Sequence, residues 1–431
     1  MEVFSIAVLL FSFLLLLSLG TPVAWSIIIS SLFTLLVSVP FLPALTTISQ
    51  RMATGIDSFA LLAIPFFILS GELMNKGGVA HRLVAFAKAL VGFLPGGLAL
   101  INVISAMLMG SVAGSAMASA SAMGSILGPE MEKEGYSKGF GVAINITSAT
   151  TGLVIPPSNI LIVYSLASGG ASIAALFLAG YIPGILTGLF LMAVAMIWAK
   201  KKNFKTGKRA PLKTVFGSFV RAFPSLMLLF VVIGGIVSGV FTATEASAIA
   251  VIYTLVLGFI YKEITFKTLP TILLKSSTTT AIVMFLIGAS MSMSWVLSYE
   301  NIPEMISSGI LSLSDNKIVI LLLINFTLLF VGIFMDMTPA VLIFTPIFLP
   351  IVTQLGIDPV HFGIIMILNL CIGLCTPPVG SVLFVGVGVA NTSIQKVIKP
   401  LIPLFLAMIV ALLLVTYIPA LSLWLPSIFD L

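Results

Sequence analysis

The sequence predicts an all-α polytopic membrane protein built as an inverted repeat, with two re-entrant hairpins and two discontinuous helices. Of its 431 residues, 59% are hydrophobic and 8% are charged, against roughly 25% charged residues in a soluble domain. Apolar runs close to the roughly 20 residues that cross a bilayer recur along the whole chain. The 36 Gly and 23 Pro are typical of transport proteins whose helices break beside a polar cavity.

The membrane topology follows from one basic loop. The loop at residues 200–222 contains eight Lys and Arg and no acid, and such loops remain in the cytoplasm. This orientation leaves only Arg51 and Lys317 of the 20 Lys and Arg outside and predicts both termini to be periplasmic. The net charge of +6 is therefore a topology signal, and we predict no nucleic-acid partner.

The predicted spans follow from that loop. The first lacks a basic start and a cleavage site, so we interpret it as a retained span rather than a signal peptide. The spans lie near 3–19, 22–41, 59–75, 139–165, 171–199, 223–241, 245–261, 272–298, 362–390 and 400–424.

Cys371 and Cys375 are too few for a structural metal site, and we expect them to pack in the interior.

Two stretches are predicted to be re-entrant hairpins, because each has the length of two half-membrane helices around a polar or Gly-rich centre. Residues 94–128 contain a tip of Gly and Ser near Gly110–Ser115, and residues 315–349 contain a tip near Gly332–Pro339. The predicted topology has the first hairpin entering from the cytoplasm and the second from outside.

An internal repeat joins these features. A shift of about 221 residues aligns Thr21 with Thr242 and Pro156-Pro157 with Pro377-Pro378, a self-similarity typical of repeat architectures. Because the shift maps an inside hairpin onto an outside one, the halves are predicted to be inverted. We assign residues 1–222 to the first repeat, with scaffold spans in 3–41, and residues 223–431 to the second, with scaffold spans in 223–261.

The two Pro pairs break the predicted spans 139–165 and 362–390. Proline removes a backbone donor and frees carbonyl oxygens that lipid cannot satisfy. Unwound carbonyls suit Na⁺, and half-helix N-termini suit a carboxylate. One tip beside one break therefore predicts one cation site per half, with a substrate cavity between them; a kink repaired by neighbouring helices is the alternative.

Four polar residues are the substrate-binding candidates: Ser115, Asn159, Asp336 and Thr338. An acid such as Asp336 at membrane depth is a functional candidate by default, although a purely structural ion pair remains an alternative. Glu245 is interpreted as a carboxylate that stabilises a helix N-terminus. We assign no catalytic residue, since the sequence has no P-loop, zinc-protease motif or nucleophile elbow, and the energy source is predicted to be an ion gradient.

Several segments resemble the large membrane (M, or DctM-type) subunit of tripartite ATP-independent periplasmic (TRAP) transporters, over essentially the whole chain. They are the run Ala63–Gly71, the hairpin around Gly110–Ser125, the Ile-Pro-Pro-Ser break at 155–158, Phe241–Ala246 and Thr376–Gly380. Ala243 departs from the Pro expected there. The resemblance implies an elevator-type ion transporter in the bacterial inner membrane, driven by two or more Na⁺, with a small four-helix membrane subunit and a periplasmic substrate-binding protein as partners.

The resemblance also implies that cations bind where each tip meets its break, and that the solute is an organic acid. The overall similarity leads us to expect sialic acid, and the few fixed positive charges predicted in the cavity favour a hydroxyl-rich monocarboxylate over a dicarboxylate. A C4-dicarboxylate, another sugar acid, or transport as a stand-alone Na⁺/anion carrier are the alternatives, and a channel is the rival of another class. The metal-ligand candidates are Ser111, Gly114, Ser115, Gly152, Val154, Pro156, Gly332, Asp336, Thr338, Gly373, Cys375, Thr376 and Pro377.

Overall fold

The structure is a computed structural model that describes residues 2–431 apart from 203, 205, 206, 208, 314 and 315. Lys205 and Lys208 of the basic loop, and Asp315 at the start of the second predicted hairpin, lie outside the described residues. Within the described part, eight helical segments are long and apolar enough to cross a membrane by length and composition. The predicted all-helical membrane architecture is confirmed in this sense.

The first ten helices include both arms of the first hairpin and the first interrupted span. A short 3₁₀ helix, Phe59–Leu62, leads directly into α4. The helices are α1 (Glu2–Ser18), α2 (Val23–Leu35), α3 (Phe41–Gly55), α4 (Ala63–Lys76), α5 (Val79–Val91), α6 (Gly97–Ala113), α7 (Ala116–Lys133), α8 (Lys138–Thr151), α9 (Asn159–Ala167) and α10 (Ile173–Lys202).

The next ten helices include the second hairpin and the second interrupted span. The predicted division between residues 222 and 223 falls inside the first of them. The helices are α11 (Leu212–Val237), α12 (Ala243–Ile260), α13 (Leu269–Tyr299), α14 (Ile302–Leu313), α15 (Lys317–Phe334), α16 (Met337–Gln354), α17 (Pro359–Gly373), α18 (Ser381–Val389), α19 (Ile394–Tyr417) and α20 (Ala420–Ile428).

Three short helices were not expected from the sequence. α3, α5 and α14 have 15, 13 and 12 residues, which is too short to cross a bilayer. Their apolar residues lie on one face rather than all round, as in α5, where Arg82 and Lys88 interrupt the apolar pattern. A search for continuous apolar spans overlooks helices of this kind.

The start of α12 shows how the sequence sets a helix boundary. The Thr242 hydroxyl accepts a hydrogen bond from the Glu245 amide at 3.2 Å, and the Glu245 carboxylate accepts one from the Thr242 amide at 2.8 Å. This reciprocal pair is a capping box, which satisfies donors that the helix leaves free. The prediction that Glu245 stabilises a helix N-terminus is confirmed.

Most helices fall into two groups, and α5 and α14 contact both of them: α5 packs on α6 and α11, and α14 packs on α16 and α13. We call α1–α4 with α11–α13 the frame, because α2, α3 and α4 all pack on α13, and α4 also packs on α12. We call α6–α10 with α15–α20 the hairpin body. Within it, α6 packs on α8 and α15 on α17. The second arm of each hairpin also contacts the short helix of the other half: α7 packs on α18, and α16 packs on α9.

The two interrupted spans form the centre of the hairpin body. Residues 142–158 and 361–375 are all buried. The backbone leaves the helix at Gly152 and at Leu374, and each break contains a cis peptide bond, Pro156-Pro157 or Pro377-Pro378. Irregular backbone is tolerated at membrane depth where protein or a polar cavity surrounds it. Protein surrounds the first break through Ser158, whereas Pro378 and Val379 at the second break are exposed.

Candidate functional site

A cavity of about 620 Å³ lies between the frame and the hairpin body. α4 and α13 line it on the frame side, and both hairpin tips and both breaks line it on the other side. A volume of this size lies within the range of about 300–1,000 Å³ that holds small organic molecules. The cavity is therefore the candidate substrate site.

All four predicted substrate-binding residues line this cavity. Ser115 and Asn159 come from the first half, and Asp336 and Thr338 come from the second. The structure thus brings side chains from the two halves of the sequence to one cavity.

Both hairpin tips present a capped helix N-terminus to the cavity. The Ser115 hydroxyl accepts a hydrogen bond from the Ala118 amide at 3.3 Å, and the Asp336 carboxylate accepts one from the Met337 amide at 2.9 Å. α9 and α18 also begin at the cavity, with Asn159 and Ser381 among its lining residues. Four helix N-termini create a positive potential that favours an anion.

In each half, one pair of glycines joins the hairpin to its break. A methyl group added to Gly110 would lie 2.9 Å from the Gly152 Cα, and one added to Gly373 would lie 2.5 Å from the Gly332 Cα. These are contacts of backbone with backbone, which a larger side chain would prevent. The first arm of each hairpin is thereby held against the interrupted helix of its own half.

The predicted cation ligands fall into two sets. Gly114, Ser115, Asp336 and Thr338 line the cavity. The others are not among the residues that line it, and several of their polar groups already have partners. The Ser111 hydroxyl donates to the Leu108 carbonyl at 2.9 Å.

The remaining polar candidates lie behind the cavity wall. The Thr376 hydroxyl donates to the Ile372 carbonyl at 2.7 Å, and the Cys375 sulfur lies 3.3 Å from the Thr150 hydroxyl. The Val154 carbonyl oxygen faces Gly180 on α10. The backbone candidates Gly152, Pro156, Gly332, Gly373 and Pro377 lie at the two glycine crossings and the two cis peptide bonds.

Carbonyl oxygens do converge beside the second break. A methyl group added to Gly380 would lie 2.8 Å from the Leu374 oxygen and 2.9 Å from the Thr376 oxygen. Among the described residues there is no group of three or more His, Cys, Asp and Glu side chains that could hold a metal ion. The oxygens at this break are uncharged backbone carbonyl ligands, which suit a monovalent cation better than a transition metal.

Three charged residues of the cavity were not predicted from the sequence. Glu72 and Lys76 at the end of α4, and Lys275 near the start of α13, line one end of it. The expectation that few fixed positive charges lie in the cavity is therefore wrong. Each lysine is close to a helix end, where a charged residue is typical of the boundary of a membrane span. Only the packing of α4 on α13 brings the two lysines together.

The family described as "Tripartite ATP-independent periplasmic transporter, DctM component" matches residues 10–421 of this chain. YgiK of Salmonella typhimurium, named as an uncharacterized protein, is 56% identical over 99% of this chain and 98% of its own length. The C4-dicarboxylate TRAP transporter large permease protein DctM of Pseudomonas aeruginosa is 41% identical over 86% of this chain and 87% of its own length.

Two further similarities agree with the architecture. The sialic acid TRAP transporter large permease protein SiaM of Vibrio cholerae is 38% identical over 97% of this chain and 98% of its own length. The crystal structure of the YdaH transporter of Alcanivorax borkumensis superposes with a TM-score of 0.63, at 14% identity, over 91% of this chain and 90% of that one. The match to the family over nearly the whole chain establishes that this protein belongs to the large permease (DctM) subunits of TRAP transporters.

Proposed function

We propose that this chain is the permease subunit of a Na⁺-coupled importer that moves an organic acid across the bacterial inner membrane. The observation that carries this proposal is the single cavity lined by both hairpin tips and by residues beside both breaks. A substrate there contacts helix N-termini from both halves at once, and these favour a carboxylate. We further propose that a periplasmic binding protein delivers the acid and that a small four-helix membrane subunit completes the transporter.

Sialic acid is the solute we propose first. One relative is named for sialic acid and another for C4-dicarboxylate. The hydroxyls of Ser115 and Thr338 and the amide of Asn159 line the cavity and suit a hydroxyl-rich acid. Lys76 and Lys275 add positive charge, so charge alone does not distinguish a sugar acid from a dicarboxylate.

For the cations we propose one site at each junction of tip and break, with two or more Na⁺ in all. The first comprises the tip Ser111–Ser115 with Gly152–Pro156, and the second comprises Gly332–Thr338 with Gly373–Pro377. The glycine crossings support these sites because they bring tip and break into backbone contact in each half. The convergent carbonyls of Leu374 and Thr376 supply oxygens of the right kind for the second site.

We also propose that the two halves are inverted repeats and that the hairpin body slides against the frame as an elevator. Helices about 221 residues apart begin and end at matching positions, for example α7 and α16, as expected of internal repeats. The cavity lies between the frame and the hairpin body, where a sliding motion changes the side from which it is reached. In the predicted orientation, the end of the cavity with Lys76 and Lys275 faces the cytoplasm.

The test is uptake of radiolabelled sialic acid into proteoliposomes that contain this chain and its small subunit, with and without an inward Na⁺ gradient and the purified binding protein. Uptake that needs all components is the expected result. Uptake without the binding protein would instead identify a stand-alone carrier. If sialic acid is not taken up, the same liposomes are used with succinate and other organic acids, and no Na⁺-dependent uptake of any acid would contradict the proposed function.

A further inference from the structure

One end of the cavity carries three charged side chains from the frame. The Lys275 ammonium lies 2.9 Å from the Glu72 carboxylate and joins α13 to α4. The Glu72 side chain is 13% exposed, whereas that of Lys275 is 60% exposed. Lys76, one helical turn beyond Glu72, lines the same cavity and is exposed. We call Glu72, Lys76 and Lys275 the charged mouth.

The frame side of the cavity changes character along its length. On α4 the lining runs from Ile64 through Glu72 to Lys76, a rise of about 18 Å at 1.5 Å per residue. On α13 it runs from Val283 to Lys275, about 12 Å. The cavity is therefore apolar at one end of its frame wall and charged at the other. A solute that leaves through the charged mouth has to pass both lysines.

The arrangement of charge indicates what the mouth can bind. Glu72 neutralises Lys275 directly, and Lys76 forms no ion pair among the described residues. The local net charge is positive, which attracts a carboxylate. The Lys275 ammonium has three donors and Glu72 occupies one, so an arriving carboxylate competes with Glu72 for the same cation.

We propose that Lys76 and Lys275 form a transient carboxylate-binding site in the charged mouth, and that Glu72 competes for Lys275 and keeps this site weak. The inference rests on the proposed function, because it takes the solute to be an organic acid. A weak site serves release: it draws the anion away from the hairpin tips, and the return of Glu72 to Lys275 lets the anion go. The alternative is that the Glu72–Lys275 pair only clamps α4 to α13.

Three substitutions separate the two accounts. Glu72→Gln frees Lys275, and the affinity for a carboxylate should rise by up to about fivefold, the range expected of a partly exposed ion pair. Lys76→Gln and Lys275→Gln together should lower that affinity by a similar factor. Lys88→Gln is the matched control: Lys88 is also 60% exposed and paired with an acid, Glu130, at 3.4 Å, but it lies outside the cavity.

The experiment measures binding to the complex of this chain with its small subunit in nanodiscs, using N-acetylneuraminate and succinate as acid probes and N-acetylmannosamine as a neutral probe. Opposite changes in acid affinity for Glu72→Gln and the double lysine variant, with no change for Lys88→Gln or for the neutral probe, would support the site. Unfolding temperatures of the same variants report on the clamp.

Each other outcome is decisive. Unchanged acid affinity in both charge variants, while the wild type binds and transports the acid, would overturn this inference and leave the proposed function intact. Equal losses for acid and neutral probes, with lowered unfolding temperatures, would show a clamp and overturn it as well. If the wild type does not bind either acid and does not transport either one, the proposed function fails, and the inference fails with it.

Discussion

The two hairpins share a backbone plan but differ in chemistry at their tips. Ser115 and Asp336 stand at equivalent positions, each as the residue that caps the second arm and lines the cavity. The first cap is a neutral hydroxyl, and the second is a carboxylate that is exposed to the cavity. The same helix start therefore offers a neutral oxygen in one half and a charged one in the other.

The hairpins also differ at their bases. In the first, a hollow of about 20 Å³ is lined by Asn102, Tyr136 and Asn145. Their oxygens Asn102 Oδ1, Asn145 Oδ1 and Tyr136 Oη have no hydrogen-bond partner among the described residues. In the second hairpin, Thr345 and Met366 stand at the positions of Gly124 and Asn145; both are fully buried, and the Thr345 hydroxyl lies 3.3 Å from the Met366 sulfur.

The two hairpins thus have backbone features in common and differ in their side chains. Glycine crossings and Pro-Pro breaks occur in both halves, since they set the path of the chain. The caps and the packing at the bases are free to differ, because they act on what binds rather than on where the helices run. We therefore expect the two tips to contribute unequally to transport.

The largest expected effect tests the shared feature. Gly373→Ala would bring a methyl group within 2.5 Å of the Gly332 backbone, and Gly152→Ala would bring one within 2.8 Å of Gly110. The two helix backbones cannot separate without losing their packing, so we expect the unfolding free energy to fall by about 1–3 kcal/mol or more. The loss should be larger for Gly373→Ala. Thermal unfolding of the purified protein measures both losses. Gly128→Ala, which meets nothing within 4 Å, is the control, and a similarly small effect at all three glycines would contradict the crossings.

The second prediction concerns the unequal tips. Asp336→Ala should reduce Na⁺-dependent uptake more than Ser115→Ala, because it removes a charge as well as a helix cap. Loss of a cap alone costs about 1 kcal/mol. Asp336→Asn retains an oxygen for the cap and removes the charge, so it separates the two contributions. Membrane insertion should be normal in all three variants. Normal uptake by both alanine variants would count against the assignment of the tips.

Much of this architecture is predictable from local sequence. The Pro pairs at 156–157 and 377–378 identify the breaks, because each Pro lacks the backbone amide that a helix needs at that position. The Gly- and Ser-rich centre of the first hairpin and the Asp-, Thr- and Pro-containing centre of the second are likewise visible in the local sequence. The charged mouth is not predictable in this way. Glu72 and Lys275 are 203 positions apart and meet only because α4 packs on α13, and no local pattern encodes that contact.

The hollow at the base of the first hairpin is also not predictable from the sequence, because it depends on which side chains pack around Asn102 and Asn145. A space of this size holds one water molecule. Water can donate to both amide oxygens and accept from Tyr136. Burial, and secondarily the charge of Glu134, raises the pKa of Tyr136 to about 12, so its hydroxyl remains protonated at neutral pH and can donate.

The smallest expected effect is a change in unfolding free energy whose sign shows whether the hollow holds a water molecule. If a water fills the hollow, Asn102→Leu breaks a hydrogen bond and should lower the unfolding free energy by about 1 kcal/mol. If the hollow is dry, the same substitution removes an unpaired buried polar group and should raise stability. Denaturant unfolding of the purified protein gives the sign. Asn369→Leu, which loses the 2.7 Å hydrogen bond to Asn325, sets the scale for a loss, and stabilisation by Asn102→Leu would exclude the water.

The crossed packing of α7 on α18 and of α16 on α9 has a consequence for how the protein is made. A ribosome that has released only the first half has produced α7 and α9 without the helices that cover them. Contacts between residues so far apart in the chain form late. The first half of the chain therefore cannot complete its packing until the second half has been synthesised. A gene split between α10 and α11 should therefore yield functional protein only when both fragments are synthesised in the same cell.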